Sequence, residues 1–308
     1  MTTKIFKNLD EQVEIMKAKG LIITDEEYVK NILLRENYFF INGYRQLLMY
    51  PGEKKFIKGA TFDELYSLFR FDRNIRNIFF KYILVVENNF KSIISYQLSK
   101  KYGYKEKDYL NYEHYTDDPN KVKQVHDILS KMKRQIRING SQHRATAHYI
   151  ANYGYIPMWV LVKVLSLGIV SELYGILKKD DKDSIAEMYG ISSESLLIYV
   201  SLLANFRNIC AHEDIFFDHR TGRKILDTKY HNLLDIDKNE DGYIYGKNDV
   251  YALIIILKEL LDERDFNDLV REVSYEFDIL DSKVDSVSKE EILKKLGFPN
   301  NWINILDL

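Results

Sequence analysis

Residues 61–100 read TFDELYSLFRFDRNIRNIFFKYILVVENNFKSIISYQLSK. Within them Ile75, Ile78, Phe79, Tyr82, Ile83, Val86, Phe90, Ile93, Ile94 and Gln97 follow the i, i+3, i+4, i+7 spacing, with Gln97 alone polar. That period lays one apolar stripe along a helix. Thr61 followed three residues later by Glu64 is a capping box, which sets the predicted start. Unbroken, residues 62–100 would span about 58 Å at 1.5 Å per residue. A break is expected near Phe71-Asp72.

The rest of the chain repeats this grammar. Thr24-Asp25-Glu26-Glu27 reads as a capping box with Glu27 reaching back, and Ser288-Lys289-Glu290-Glu291 as another. Pro157 marks a helix start. Further helices are expected over about 119–139, about 157–178 (apolar on most sides, hence central), about 193–212, near 249–262 and 264–278, and near 289–296. In the helix over 193–212, Leu196, Val200, Leu203, Phe206, Arg207 and Cys210 share one side. The strand signal is weak: Asp241-Gly242 between Leu234-Asp235-Ile236 and Tyr243-Ile244-Tyr245 fits one small hairpin. Gly and Pro number 14 and 4 in 308 residues, about half of average usage. The fold class is all-α, with at most a minor β-hairpin.

Composition excludes several classes. One cysteine, Cys210, allows neither an intramolecular disulfide nor a cysteine-based zinc site. The N-terminus lacks the apolar core of a signal peptide. The most apolar segment, 157–178, is interrupted by Lys163 and Glu172, which argues against a membrane span. A cytoplasmic location is expected. The net charge of −2 is uneven. Residues 121–144 hold Lys121, Lys123, Lys131, Lys133, Arg134, Arg137 and Arg144 against Asp127 alone, a local +6. A charge run is commonly a solvated helix face, but this one is also the first choice for an RNA-binding face. Tyr149, Tyr153 and Tyr155 follow it, as core residues or as stacking partners for bases.

Chemistry concentrates in residues 203–212, LANFRNICAH. An Arg in an apolar stretch is costly to bury unpaired. An Arg fork can hold a phosphate, and a His can exchange protons near neutral pH. Together they suit phosphodiester cleavage without a metal. Five residues of helix separate Arg207 from His212 by about 140° and 7.5 Å. Convergence therefore needs a frayed end at His212 or a second copy across a two-fold axis. The plainer reading pairs Arg207 with a buried carboxylate and makes His212 a helix cap.

Residues 203–212 resemble the signature of the Abi-like family of bacterial abortive-infection proteins (the AbiD/AbiF group) within the HEPN superfamily. Its mark is Arg-x(4–6)-His with a polar residue after the Arg, here Arg207, Asn208 and His212. Other blocks are similar in the same order. They are Lys19-Gly20-Leu21, Asn37-Tyr38-Phe39-Phe40-Ile41-Asn42-Gly43-Tyr44, Phe71-Asp72-Arg73 with Arg76, Val86-Glu87, Pro157-Met158-Trp159-Val160, Ser166-Leu167-Gly168 and Gly297-Phe298-Pro299-Asn300-Asn301-Trp302.

The resemblance implies a HEPN-type helical bundle that dimerises. Its core would span 61–247, between an N-terminal helical extension over 1–60 and C-terminal helices over 248–308. It also implies a metal-independent, cofactor-free endoribonuclease toxin of phage defence, with His212 as acid–base, Arg207 as charge stabiliser and Asn208 as orienter. Products would carry 2′,3′-cyclic phosphate and 5′-hydroxyl ends. RNA is the implied substrate, and some members are restrained by a small structured RNA. Glu213 departs from the family, where a His or polar residue is common; a carboxylate there acts on the imidazole and repels phosphate.

Asp72, Arg73, Arg76 and Glu87 are candidate supporting residues beside Glu213. Asp72 and Arg76 have salt-bridge spacing, and Glu87 is a candidate partner for Arg207. Residues 237–248 match the first eight positions of an EF-hand loop but place Asn248 where a bidentate Glu is needed, so a polar hairpin is the expected reading. The alternative function is a non-catalytic RNA-binding or scaffold protein of the same fold.

Overall fold

The computed structural model describes residues 5–308. Its helices are α1 (Leu9–Ala18), α2 (Glu26–Glu36), α3 (Tyr38–Ile41), α4 (Phe62–Tyr102), α5 (Glu106–Tyr109), α6 (Val122–Asn139), α7 (Arg144–Tyr153) and α8 (Met158–Val164). They continue as α9 (Leu167–Gly175), α10 (Lys179–Glu187), α11 (Ser193–Ala211), α12 (Lys229–Leu233), α13 (Val250–Leu260), α14 (Glu263–Asp281) and α15 (Lys289–Leu296). Two strands, β1 (Lys238–Asn239) and β2 (Gly242–Tyr243), form one antiparallel hairpin. The all-α reading holds.

The centre of the bundle is α4, 41 residues and about 62 Å long. It packs against α14, α8, α11 and α10. Ile75, Phe79, Tyr82, Ile83, Val86, Phe90 and Ile94 are buried along it. Each such side chain contributes roughly 1.5–3 kcal/mol of burial energy. The expected break at Phe71-Asp72 is absent. Asp72 does not compete for its own helix's amides, because its carboxylate is satisfied by groups from other segments.

Other boundaries moved for local reasons. The apolar run 157–178 is two helices, because Leu165 is extended and the Ser166 hydroxyl accepts from the Ile169 amide to start α9. The central apolar helix is instead α13, buried at every residue from 250 to 257. The cap of α2 is Asp25, which accepts from the Tyr28 amide; Thr24 does not form the expected box. In the hairpin Lys238 pairs with Tyr243 and Asn239 with Gly242, so the turn is Glu240-Asp241 and the strands are shorter than expected. The boxes at Thr61/Glu64 and Ser288/Glu291 form as expected. No described helix is long and apolar enough to cross a membrane.

Glu64 does more than cap. Its Oε1 accepts from the amides of Asp285 (2.9 Å) and Ser286 (2.8 Å) and from the Ser286 hydroxyl, tying the start of α4 to the loop after α14. Glu64→Ala should therefore cost roughly 2–3 kcal/mol, since it strands amides that a charged acceptor satisfied. Ser288→Ala, which loses a cap alone, should cost about 1 kcal/mol. Denaturant unfolding of the two variants measures this, and the reverse ranking would refute the docking role.

Candidate active site at the end of helix α11

Four charged residues of α4 share a face. Asp72 to Arg76 and Glu87 to Lys91 are i, i+4 pairs, and eleven residues from Arg76 to Glu87 return within about 20° of the same direction. All four are buried. The side of α4 that carries them meets α11 and the loop after it.

Asp72 is the lower node. Its Oδ2 accepts from the Tyr44 hydroxyl (2.7 Å), Arg76 Nη1 (2.9 Å) and the Phe216 amide (3.3 Å), and its Oδ1 from the Phe217 amide (2.6 Å). Burial pushes its carboxyl up to about 6, against the downward pull of those donors. Arg76 also donates to the Asp214 carbonyl at 2.9 Å. The expected salt bridge between Asp72 and Arg76 thus exists, and it holds the segment directly after His212. Arg73 is not part of it. Arg73 forks onto Glu36 (3.0 and 2.6 Å) and lies 4.6 Å over the Phe69 ring, tying α4 to α2.

Glu87 is the upper node. Lys91 Nζ lies 2.6 Å from Glu87 Oε1, and Arg207 Nε lies 3.5 Å from Glu87 Oε2. The second pair is an ion contact without hydrogen-bond alignment. The Arg207 guanidinium also sits 5.8 Å from the Phe80 ring centroid. Its side chain stays 32% exposed.

Helix α11 ends in a Schellman turn. His212 is the C-cap, and its amide donates to the Asn208 carbonyl. The Asp214 amide reaches the Ile209 carbonyl at 3.2 Å and the Glu213 amide the Cys210 carbonyl at 3.4 Å. Glu213 occupies the left-handed position (φ 56°) usually given to glycine. Asn208, His212 and Glu213 are exposed. No hydrogen bond or ion pair joins Arg207 to His212 among the described residues. Cys210 is buried, and burial raises its thiol to about 12, so it packs rather than reacts. His219, the next imidazole along the chain, is occupied by Asn205 Oδ1 at 2.6 Å and packs on Phe206.

Blocks distant in sequence therefore converge on the end of α11: 36–44, 72–91 and 203–217. The sequence profile of the family described as Abi-like protein matches residues 31–218, about three-fifths of the chain. The chain belongs to the Abi-like protein family. Family membership points to abortive infection, a phage-defence response. No curated protein and no solved structure matches. Every residue of the two nodes lies within the part matched to the Abi-like family.

The remaining expected residues fall elsewhere. Lys131 pairs with Glu172 and Lys121 donates to the Gly175 carbonyl at 3.2 Å. Lys123, Lys133, Arg134, Arg137 and Arg144 are exposed and have no acidic partner among the described residues. Val125, Ile128, Leu129 and Met132 bury the opposite side of α6. Three residues were not singled out from sequence: Tyr44, Phe80 and Lys91. Lys91 was recoverable from its i+4 spacing to Glu87. A cavity of about 270 Å³ between α2, α4 and α14, lined by Tyr28, Tyr66, Arg70 and Glu276, contains none of the motif residues. Residues 237–248 spend polar groups on the chain itself, with Asn239 Oδ1 accepting from Asp241 N and Asn248 Nδ2 donating to the Thr221 carbonyl.

Two substitutions test this construction. Asp72→Ala strands a buried guanidinium and two amides and should cost about 3–5 kcal/mol in denaturant unfolding, against about 1 kcal/mol for Tyr44→Phe. Glu213→Gly relieves a left-handed side chain and should raise stability by roughly 0.5–1 kcal/mol. A loss of stability in Glu213→Gly would mean that its carboxylate is held in place by the fold.

Proposed function

We propose that this Abi-like protein is a metal-independent endoribonuclease of the HEPN type, acting as a toxin in phage defence. The observation that carries the reading is the end of α11. There His212 is the exposed C-cap residue, and Arg207, 32% exposed, touches Glu87 of α4 through Nε alone, while Arg76 of α4 holds the Asp214 carbonyl just beyond the cap. His212 is assigned proton transfer to and from the 2′-hydroxyl and the leaving oxygen. Arg207 is assigned stabilisation of the charge that develops on phosphorus-bound oxygens. Asn208, one turn before His212, is assigned orientation of the pair. The cationic face of α6 is assigned phosphate contacts along the RNA. Some members of the family resembled are restrained by a small structured RNA, and such an RNA is the candidate regulatory partner.

The proposal includes a homodimer. Within one chain Arg207 and His212 sit about 140° apart around α11. A two-fold axis near the helix end supplies the missing group from a second copy. Support comes from the surface next to the turn. Leu34, Phe39 and Phe40 are largely exposed on α2 and α3. Gly43, just after α3, sits where a Cβ would meet Ile215 Cδ1 at 2.7 Å, so this apolar patch adjoins the loop after His212.

Purified protein should cut RNA in EDTA. His212→Ala and Arg207→Ala should each lower the rate by at least about 100-fold while leaving the melting temperature within a few degrees. Gel assays of labelled RNA and calorimetry read both quantities. Undiminished cutting by His212→Ala would overturn the catalytic assignment. Stability loss without any wild-type cleavage would favour the scaffold reading.

A further inference from the structure

From residue 128 to residue 171 the chain contains no Asp or Glu, yet Lys131, Lys133, Arg134, Arg137, Arg144 and Lys163 fall inside it. Along this acid-free stretch, joined by Tyr104 from the loop after α4, lies a run of aromatic rings that the Arg207–His212 site does not use. Centroids of Tyr149 and Tyr153 are 5.3 Å apart, of Tyr153 and Tyr155 6.5 Å, of Tyr155 and Tyr104 5.9 Å, and of Tyr104 and Trp159 5.2 Å. Tyr149 packs against the core, but the outer rings do not. Tyr153 is 58% exposed and Trp159 45%. Lys105 Nζ lies 4.7 Å from the Tyr155 centroid.

The fold places this run beside the cations. Helix α7 is tied back to the end of α6, where the Thr146 hydroxyl donates to the Asn139 carbonyl and a Cβ on Gly140 would meet Ile150 Cδ1 at 3.0 Å. Arg137 and Arg144 flank that corner and have no acidic partner among the described residues. The two carboxylates of α5 stay charged but are turned to backbone amides: Glu106 accepts from the Ile156 amide at 2.7 Å and Asp108 from the Lys105 amide at 3.0 Å. Exposed rings beside cations that have no acidic partner among the described residues suit an anionic ligand with flat apolar faces.

We propose that this run is a stacking face for single-stranded RNA, with bases on Tyr153 and Trp159 and phosphates on Lys105 and Arg144. Unpaired bases offer a π-face to any aromatic, whereas a duplex hides its bases and offers only phosphates and grooves. A single strand is therefore the polyanion that uses both features. The proposal rests on the reading of the chain as an RNA-handling protein, but not on cleavage.

The test uses the full chain carrying His212→Ala so that RNA stays intact. Fluorescence anisotropy measures binding of a single-stranded oligouridylate of about 12 nucleotides and a duplex of similar length, a size within the range such surfaces cover. Tyr153→Ala should weaken single-strand binding about 5- to 150-fold and leave duplex binding unchanged. Tyr153→Phe should retain affinity, and Tyr153→Leu should lose it as Ala does. In a Trp302→Phe background, single-strand binding should quench the Trp159 emission.

Several results would overturn the proposal: unchanged single-strand affinity in both Tyr153→Ala and Trp159→Ala, equal losses on duplex, or retention by Tyr153→Leu. A shift in oligomeric state without an affinity change would mark the rings as a docking face for a second copy. If the parent chain binds neither RNA, the RNA reading falls with this proposal. If parent and variants bind alike, the stacking assignment falls alone.

Discussion

One buried carboxylate organises the end of α11. Asp72 joins three separate segments: the stretch 42–48 through Tyr44, its own helix through Arg76, and the loop after α11 through the amides of Phe216 and Phe217. A buried ion pair taken alone contributes little, because desolvation offsets the attraction. Its consequence here is different. The chain leaving His212 dives under the surface at Phe216 and Phe217, both buried, and their amides have to find acceptors. Asp72 is that acceptor, and Arg76 makes its charge tolerable while holding the Asp214 carbonyl. The carboxylate thus specifies where the turn after His212 must sit, more than it adds stability.

Two rungs connect α4 to α11, and their order fixes the geometry. Arg76 reaches residue 214 and Glu87 reaches residue 207, so numbers rise along one element as they fall along the other. The helices run antiparallel past each other. Eleven residues on α4 close on nearly whole turns, so both rungs leave one face of that helix, one reaching α11 and the other the turn after it. The Schellman turn lies between the rungs and leaves His212 at the surface. Glu213 has a left-handed backbone at a position where an L side chain is strained. The flanking anchors overdetermine that turn.

Much of this was legible in the sequence, and the reasons for the remainder are physical. The stripe from Ile75 to Ile94 dictates a long buried helix because no other period fits it. The capping boxes at Thr61 and Ser288 were readable because both partners lie three residues apart. Glu87 was a candidate partner for Arg207 because it lies on or beside the apolar face of its helix, and the two are in contact at 3.5 Å. What could not be read were partners set by tertiary approach. Tyr44 is 28 residues from Asp72, and the amides of 216 and 217 are about 145 away; an amide carries no sequence signature. The break at Leu165-Ser166 was hidden because the same apolar residues suit one buried helix or two. Glu213 was visible as a departure, but its left-handed backbone was not, since Glu is an uncommon residue at that position.

Charge bookkeeping at the upper node bears on what Arg207 can do. Arg73 serves as an internal comparison: its fork is fully engaged by Glu36, with contacts of 3.0 and 2.6 Å. A guanidinium so engaged has no open edge for another anion. Arg207 shares one carboxylate with Lys91, which holds the shorter contact at 2.6 Å, and touches Glu87 through Nε alone. Two cations on one carboxylate leave about one unit of positive charge, and it falls on the partner that remains half-exposed. The pairing therefore aims the guanidinium without neutralising it. Had Glu87 taken both terminal nitrogens, the same salt bridge would be a structural tie like that of Arg73. Because the contact is through Nε, both terminal nitrogens of Arg207 stay outside it, which is the difference between this pairing and the two-nitrogen fork of Arg73.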